Sequence, residues 1–362
     1  MNSRKHTVQV IAGSAMALGL ILGILGYFCG GAKTVNIDRN GFHIANGELH
    51  TLKDLNLESF ESINLDTKNF EVEFVQSEHY GIEINYYNSC NPTYSVENGT
   101  LKASDGEKDS FFSLNFGILW HPNTLKVYLP QNVSLKDITI KNASGNIDIS
   151  NFSAQSTNIQ LSSGNLTMRD ASSNTLIAAL SSGNAVFENI NQAQAESESV
   201  KLESKSGWIR IQNLSTKNFS VSAASGNIDL KKLTAAKFSS DCLSGNTTVQ
   251  NSSIGNSDFG SRSGNITAED IATNSLTAKC SSGSINLKGA LKGKTNLDAS
   301  SGNVNFSTSI SEDQYSYGLS ALSGNIRVNG DSNASHTKLN SGAANELIIN
   351  TKSGNIHADF QK

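Results

Sequence analysis

The stretch "LSSGNLTMRDASSNTLIAALSSGN", residues 161–184, holds one four-letter phrase twice, at 162–165 and again at 181–184. The phrase belongs to a longer series. After residue 140 the Ser-Gly pairs place glycines at Gly145, Gly164, Gly183, Gly207, Gly226, Gly245, Gly264, Gly283, Gly302, Gly324, Gly342 and Gly354. Successive spacings are 19, 19, 24, 19, 19, 19, 19, 19, 22, 18 and 12. A fixed period of this size is the mark of a stacked repeat.

The residues between the glycines identify the kind of repeat. Seven, five and three places before each glycine the residue is apolar or small, as in Phe219, Val221 and Ala223 before Gly226. Two and four places after it the pattern resumes, as in Ile147 and Ile149, Leu166 and Met168, Ile228 and Leu230, Ile285 and Leu287, Val304 and Phe306. A further apolar residue follows at seven, as in Phe152, Ile190, Leu214, Leu233 and Ile271. Alternation at period two means strands with one buried face. Each unit therefore reads as a strand, a tight Ser-Gly-Asn corner, a second strand and a looser corner. Glycine supplies the positive φ of the tight corner. Asn146, Asn165, Asn184, Asn227, Asn246, Asn265, Asn303, Asn325 and Asn355 follow it, a residue that tolerates left-handed backbone and hydrogen-bonds locally. Stacked asparagine side chains are expected to bond to each other from rung to rung. One such unit cannot bury enough surface alone, so rungs stack cooperatively. The expected fold is all-β: a single-stranded parallel β-helix, or β-solenoid, with rungs of about 19 residues and a repeat region of roughly 58 Å at ~4.8 Å per rung. Leucine-rich and calcium-binding nonapeptide repeats are excluded, because neither frame is present.

The passage "VYLPQNVSLKDITIKNASGNIDI", residues 127–149, followed by repeated "SGN-I" corners, resembles the bacterial putative-adhesin domains of unknown function. The likeness spans about 35–360. It implies a right-handed parallel β-helix in a cell-envelope protein, often behind an N-terminal membrane segment, and it implies no catalytic residues. Some relatives resemble accessory proteins of envelope-stress regulation. Trp208 and Ser284 depart from the pattern, each replacing the corner asparagine, and the last two rungs are irregular.

The N-terminus reads differently. Arg4, Lys5 and His6 precede "VQVIAGSAMALGLILGILGYFC", residues 8–29, which is almost wholly apolar or small. About 20 such residues span a bilayer as a helix, and the basic residues before them place the N-terminus in the cytoplasm. The run exceeds the apolar stretch of a cleaved signal peptide, so an uncleaved anchor is expected. The chain thus divides into a cytoplasmic tail (1–7), a signal-anchor helix (8–30), a juxtamembrane segment (31–59), irregular strand-rich rungs or a cap (60–135), and regular repeats (136–362). Ala15, Gly19 and Gly23 form a small-xxx-small series on which two such helices can pack.

Chemistry is sparse. None of the seven histidines makes a metal-ligand spacing, and no G-x-S-x-G elbow or phosphate loop occurs. Outward residues such as Asp148, Arg169, Glu188, Arg210, Asp229, Lys231, Glu269, Lys288 and Arg327 mix both signs without convergence, as a solvated face does. Removing Arg4 and Lys5 leaves 26 basic against 32 acidic residues, which invites neither nucleic acid nor anionic lipid. No cofactor, metal or catalytic residue is expected. Cys242 and Cys280 fall two rungs apart, too far for a disulfide, so both are expected to be free and buried with Ser261 between them. The longer rungs carry loops at 191–200 and 311–317, which with Trp208, Tyr315 and Tyr317 are the candidate binding loops. A C-terminal strand without a capping helix is a second candidate for self-association. Phe111, Phe112, Phe116 and Trp120 are expected to pack beneath a longer loop.

The functional expectation is a non-enzymatic, membrane-anchored extracytoplasmic solenoid that acts as an adhesin or scaffold on an envelope glycan or protein. The alternative is an accessory regulator of envelope stress working through a membrane partner, and the third reading is a carbohydrate-active β-helix enzyme.

Overall fold

In the computed structural model the described residues are 34–38, 41–45, 49–87, 90–105, 114–116, 122–191, 197–333 and 336–361, together with Gly19. They are almost entirely β-strand. No helix among them is long and apolar enough to cross a membrane. The run at 8–29 lies outside them apart from Gly19, as do Ala15, Gly23, Phe111, Phe112, Trp120 and the loop at 192–196.

The rung Ile228–Ser244 shows the repeating unit. Its inward residues are Ile228, Leu230, Leu233, Ala235, Phe238, Ser240 and Cys242. Strict alternation slips by one residue after Leu230 and again after Ala235, so the chain bends at each place and the rung has three sides. Along its sides the rung pairs in parallel with the residues 19 places on, as Ile228 with Thr247, Phe238 with Ser257 and Cys242 with Ser261, and the pairing lapses at the bends. The bend after Leu230 is a left-handed corner. Asn151, Asp170, Asn189, Asn213, Lys232, Asn251 and Asp270 occupy it with φ between +48° and +60°. Asparagine and aspartate tolerate that region because their side chains hydrogen-bond locally.

Seven inward columns thus run along the solenoid. Phe219 and Phe238 stack within one of them at 5.5 Å, and Phe238 meets Phe259 of the neighbouring column edge-on at 5.2 Å. Another column, nine places after the corner glycine of a regular rung, is mostly small or hydroxylic: Ala154, Ser173, Thr216, Ala235 and Thr273 are buried there, with the larger Ile254, and Ser197 takes the same place past the five-residue insertion. Its hydroxyls donate two residues onward, Ser173 to the Thr175 carbonyl (2.8 Å), Thr216 to Asn218 (3.3 Å) and Thr273 to Ser275 (2.9 Å). The narrow third corner is therefore closed by a short polar side chain that satisfies its own turn.

The coil does not run monotonically at its ends. Ser62–Ser77 is a full rung lying directly against Ser134–Ser144 and Ile147–Ser150, with Ile138 paired to Ile63 and Ile147 to Val72. That offset is 75 residues, 56 more than one rung. The excess, 78–133, leaves the second side and folds outward as the end of the solenoid. Its strands Thr100–Ser104 and Asn123–Pro130 form the outermost rung, parallel to Ser62–Ser77. Antiparallel strands Leu49–Asp54, Gly81–Tyr87 and Thr93–Glu97 then cover that rung. Backbone pairing also joins Thr34–Asp38 to Gly41–Ala45 and to Leu114–Phe116 in a small separate sheet.

The other end repeats the device. Lys294 to Ser301 pair with Glu346 to Ser353 at an offset of 52 residues, 33 more than one rung. The intervening chain forms the outermost rung from Tyr315–Ala321 and Ile326–Val328, closed by the antiparallel Thr337–Lys338. Asn345–Ser353 and Ile356–Gln361 lie beneath it, paired on both edges. This corrects the expected succession of rungs. The strand expected to be an open C-terminal edge is interior, and the exposed edge is the short Ile326–Val328.

Replacing 309–344 with the three residues 271–273 restores a 19-residue rung and removes the cover. The variant is expected to keep its β-sheet circular dichroism and to elute as larger species in size-exclusion chromatography with light scattering, because 345–361 becomes an unprotected edge. A strict monomer would show that the cover does not protect the edge.

Candidate functional site: corner ridge and polar trough

The corner glycines form one ridge. Gly145, Gly164, Gly183, Gly207, Gly226, Gly245, Gly264, Gly283, Gly302, Gly324 and Gly354 all have φ between +114° and +149°, a region that side chains with a Cβ avoid. Space closes the position a second time. A Cβ on any of them would lie 1.8–2.3 Å from the corner carbonyl oxygen of the rung beneath. The contacts also give the stacking order. Phe70 underlies Gly145, while Gly354 sits on Gly302 and carries Gly324. Gly342 takes no part in the ridge.

The asparagines beside the ridge do something other than expected. Each Oδ1 accepts the backbone N–H of the next rung's corner residue: Asn165 on Asn146 (2.9 Å), Asn246 on Asn227 (2.9 Å), Asn265 on Asn246 (2.9 Å), Asn355 on Asn303 (2.9 Å) and Asn325 on Asn355 (2.9 Å). The amide oxygen replaces a ladder carbonyl, because the glycine carbonyl faces the Cα above it. Side chain meets side chain only between Asn165 and Asn146, at 3.3 Å. Trp208 and Ser284 donate the same bond to Asn184 and Asn265 but carry no amide to accept the next one. The glycine carbonyls are met from inside, by Ser261 on Gly264 (3.0 Å) and by the thiols of Cys242 on Gly226 (3.5 Å) and Cys280 on Gly264 (3.3 Å). Ridge and ladder are structural, and they present no reactive group.

Of the three aromatic candidates only Trp208 reaches the surface. It is half-buried, with the Arg210 guanidinium 4.6 Å from the ring and Asp229 3.6 Å from Arg210. Tyr315 and Tyr317 are core residues of the outermost rung, which corrects their reading as binding-loop residues. Tyr315 is wholly buried and its hydroxyl bonds to the Leu291 carbonyl. It packs 5.1 Å from Phe360, and Tyr317 packs 5.5 Å from the same ring. Two alternating aromatics in a short strand point inward, as their period requires. Burial, and then hydrogen bonding to Glu312, pushes the Tyr317 hydroxyl up to about 12. Glu312 is also held by Asn329 (2.8 Å) and Lys338 (3.3 Å), so this cluster fastens the cap.

Surface chemistry concentrates elsewhere. Residues three and five places after the corner glycines make two outward columns on the first side. In the N-terminal half they pair among themselves, with Arg169 3.0 Å from Asp148 and 3.7 Å from Glu188. Exposed pairs of this kind contribute about 0–1 kcal/mol each. Toward the C-terminal end the columns instead flank a shallow depression of about 450 Å³. One wall is Asn286, Asn305, His357 and Arg327, in consecutive register. The other includes Glu269, Lys288, Ser307 and Asp359. Lys288 and Ser307 also line an adjoining depression of about 700 Å³ over the second corner, edged by Lys232, Asn251 and Asp270. Among the described residues no group of three or more His, Cys, Asp or Glu side chains could hold a metal ion. The sequence contained these columns, but it read as a mixed solvated face, because nothing in it joins Gly302 to Gly354 and so sets Asn305 beside His357.

Two measurements test the ridge. Gly245→Ala is expected to lower stability by roughly 3 kcal/mol or more, since it adds both strain and overlap. Gly330→Ala, with positive φ but no atom within 4 Å of the new methyl, is expected to cost about 1 kcal/mol. Denaturant midpoints compare the two, and equal losses would refute the packing argument. Separately, Cys242 and Cys280 are free and buried, with Ser261 paired to both. Burial pushes both thiols up. They are expected to resist iodoacetamide at pH 8 in the folded chain and to react once guanidinium unfolds it. Stability conferred by the neutral thiols is fully present below the ordinary thiol value and declines as pH rises toward the raised one.

A family model described as Toastrack DUF4097 matches residues 60–219 and 194–358. No curated protein matches. Among solved structures, a "putative cell adhesion protein" from Clostridium sporogenes aligns with 86% of this chain and 100% of its own, at 12% identity and a TM-score of 0.25. A "putative adhesin" from Parabacteroides distasonis aligns with 86% and 98%, at 13% identity and 0.38. A "putative lipid binding protein" from the same organism aligns with 86% and 98%, at 17% identity and 0.31. Such low scores carry no weight beside the family match, which spans the capped rungs and almost the whole ridge: the chain belongs to the Toastrack DUF4097 family.

Proposed function

We propose that this protein is a non-enzymatic binding protein of the bacterial envelope, anchored by one N-terminal membrane helix, with a right-handed solenoid outside the membrane acting as an adhesin or scaffold. The observation that carries this reading is the capped solenoid itself. Both ends are covered by the protein's own excursions, so growth by strand pairing is blunted and the long outward faces are what remains for partners. A rigid rod of stacked rungs suits presentation away from a membrane. The apolar run 8–29 behind Arg4 and Lys5 supports the anchor and its orientation. Right-handed coiling follows from the handedness of parallel strand connections. The polar trough supports binding over turnover, because its carboxylates Glu269 and Asp359 lie on the same wall and do not oppose each other across it.

The test is co-sedimentation of the full-length chain, held in detergent, with purified envelope wall fragments. The expected result is saturable binding without release of new reducing ends. Failure to sediment would overturn the reading, and release of reducing ends would replace it with a carbohydrate-active enzyme. Sedimentation abolished by removing membrane proteins from the fragments would replace it with a regulator acting through a membrane partner.

A further inference from the structure

We infer that the trough between the two outward columns near the C-terminal end is a glycan subsite, taking a β-linked polysaccharide strand laid parallel to the solenoid axis; this rests on the envelope-binding reading above. Three features of the trough lead to it. The first is repeat distance. Successive rungs are about 4.8 Å apart, close to the length that one pyranose ring adds to a β-linked chain. A strand running along the axis therefore meets the same pair of positions once per sugar.

The second feature is the hydrogen-bonding inventory. Asn305 donates from Nδ2 to Asn286 Oδ1 at 2.6 Å, and Asn305 Oδ1 lies 3.2 Å from His357 Nδ1. A carbonyl oxygen can only accept, so His357 donates from Nδ1. The chain of bonds holds these three side chains in one orientation across three rungs. Arg327 continues the wall as a donor, and Ser307 and Lys288 face it from the other column. Donors and acceptors suited to sugar hydroxyls thus line both walls, and the Asn286, Asn305 and His357 part of the array is fixed before any ligand arrives.

The third feature is charge. Lys288 and Arg327 are balanced by Glu269 and Asp359. A nucleic acid or other polyanion wants a basic stripe, and a cationic peptide wants an acidic one, so balanced walls favour an uncharged polyhydroxylated chain. The lining has no aromatic platform at its surface, since Phe306 forms part of the floor and is itself buried. Recognition therefore depends on hydrogen bonds repeated along the strand, and affinity must grow with chain length.

The probes are β-1,4-linked N-acetylglucosamine oligomers of two, four and six sugars, titrated calorimetrically into the full-length chain in detergent. The expected result is affinity at least tenfold higher for four sugars than for two, levelling off by six, because four consecutive rungs supply the Asn286, Asn305, His357 and Arg327 wall. An α-1,6-linked glucose series, whose repeat does not match the rungs, is expected to bind at least tenfold more weakly. Asn305→Ala combined with Arg327→Ala is expected to weaken tetramer binding about tenfold or more, while Lys201→Ala on another side leaves it unchanged. Both changes are at surface positions, and an unaltered melting curve confirms folding. Absence of binding at every length, no dependence on length, equal binding of the α-linked series, or an unaffected double variant would each overturn the inference. Wall-fragment sedimentation separates the two readings. Fragments that bind wild type and double variant equally leave envelope binding standing and remove the trough as its site, whereas fragments that bind neither remove both.

Discussion

Everything in this solenoid depends on one contact: the Cα of a corner glycine resting on the carbonyl oxygen of the corner glycine below. Because no side-chain atom intervenes, backbones can approach to strand-pairing distance at the sharpest bend of the rung. The glycine carbonyl is thereby lost to the ladder, and the adjoining asparagine restores the balance by offering its amide oxygen to the backbone N–H above. The Ser-Gly-Asn phrase is thus one physical unit. Glycine makes the approach and asparagine replaces the acceptor that the approach removes; in some rungs a buried side chain also meets the stranded carbonyl from inside, Ser261 at the corner glycine of its own rung and Cys242 and Cys280 at that of the rung beneath.

A constraint that tight at one corner leaves freedom elsewhere. Every large departure from the 19-residue period leaves the coil on the second side, past the second corner. The 56 extra residues at one end depart after Ser77 and return at Ser134. The five at the long middle rung fall between Ile190 and Ser199. The 33 at the other end fall between Thr308 and Asn345. The second side is short and touches no ridge glycine, so the chain can leave it and rejoin in register. Both caps are built from such excursions.

Much of this was legible in the sequence. The alternation around Phe219, Val221, Ala223, Ile228, Leu230 and Leu233 marks six of seven inward columns, and the glycine series marks the ridge. The seventh column was hidden because, Ile254 apart, the rungs from Ala154 to Thr273 fill its narrow corner with serine, threonine and alanine, which resemble surface residues. The left-handed second corner was visible as Asn, Asp or Lys six places after the glycines from Gly145 to Gly264, but polar residues on a polar face carry no distinctive pattern of their own. Tyr315 and Tyr317 looked like loop residues because the long interval around them concealed a strand. The trough was illegible for a deeper reason. Asn305 and His357 are 52 residues apart in the chain, and only the detour between them makes them neighbours. That detour is visible only in the pairing.

The buried position of Asn345–Ser353 and Ile356–Gln361 has a consequence for biogenesis. On a ribosome, Tyr315–Val328 emerges before the strands it must rest upon, so the lid exists before the floor. During that interval the solenoid presents its growing face to the surroundings, and its own lid segment has nothing to dock on. Asn345–Ser353 and Ile356–Gln361 must slide in beneath a waiting flap, which ties completion of this end of the solenoid to their arrival.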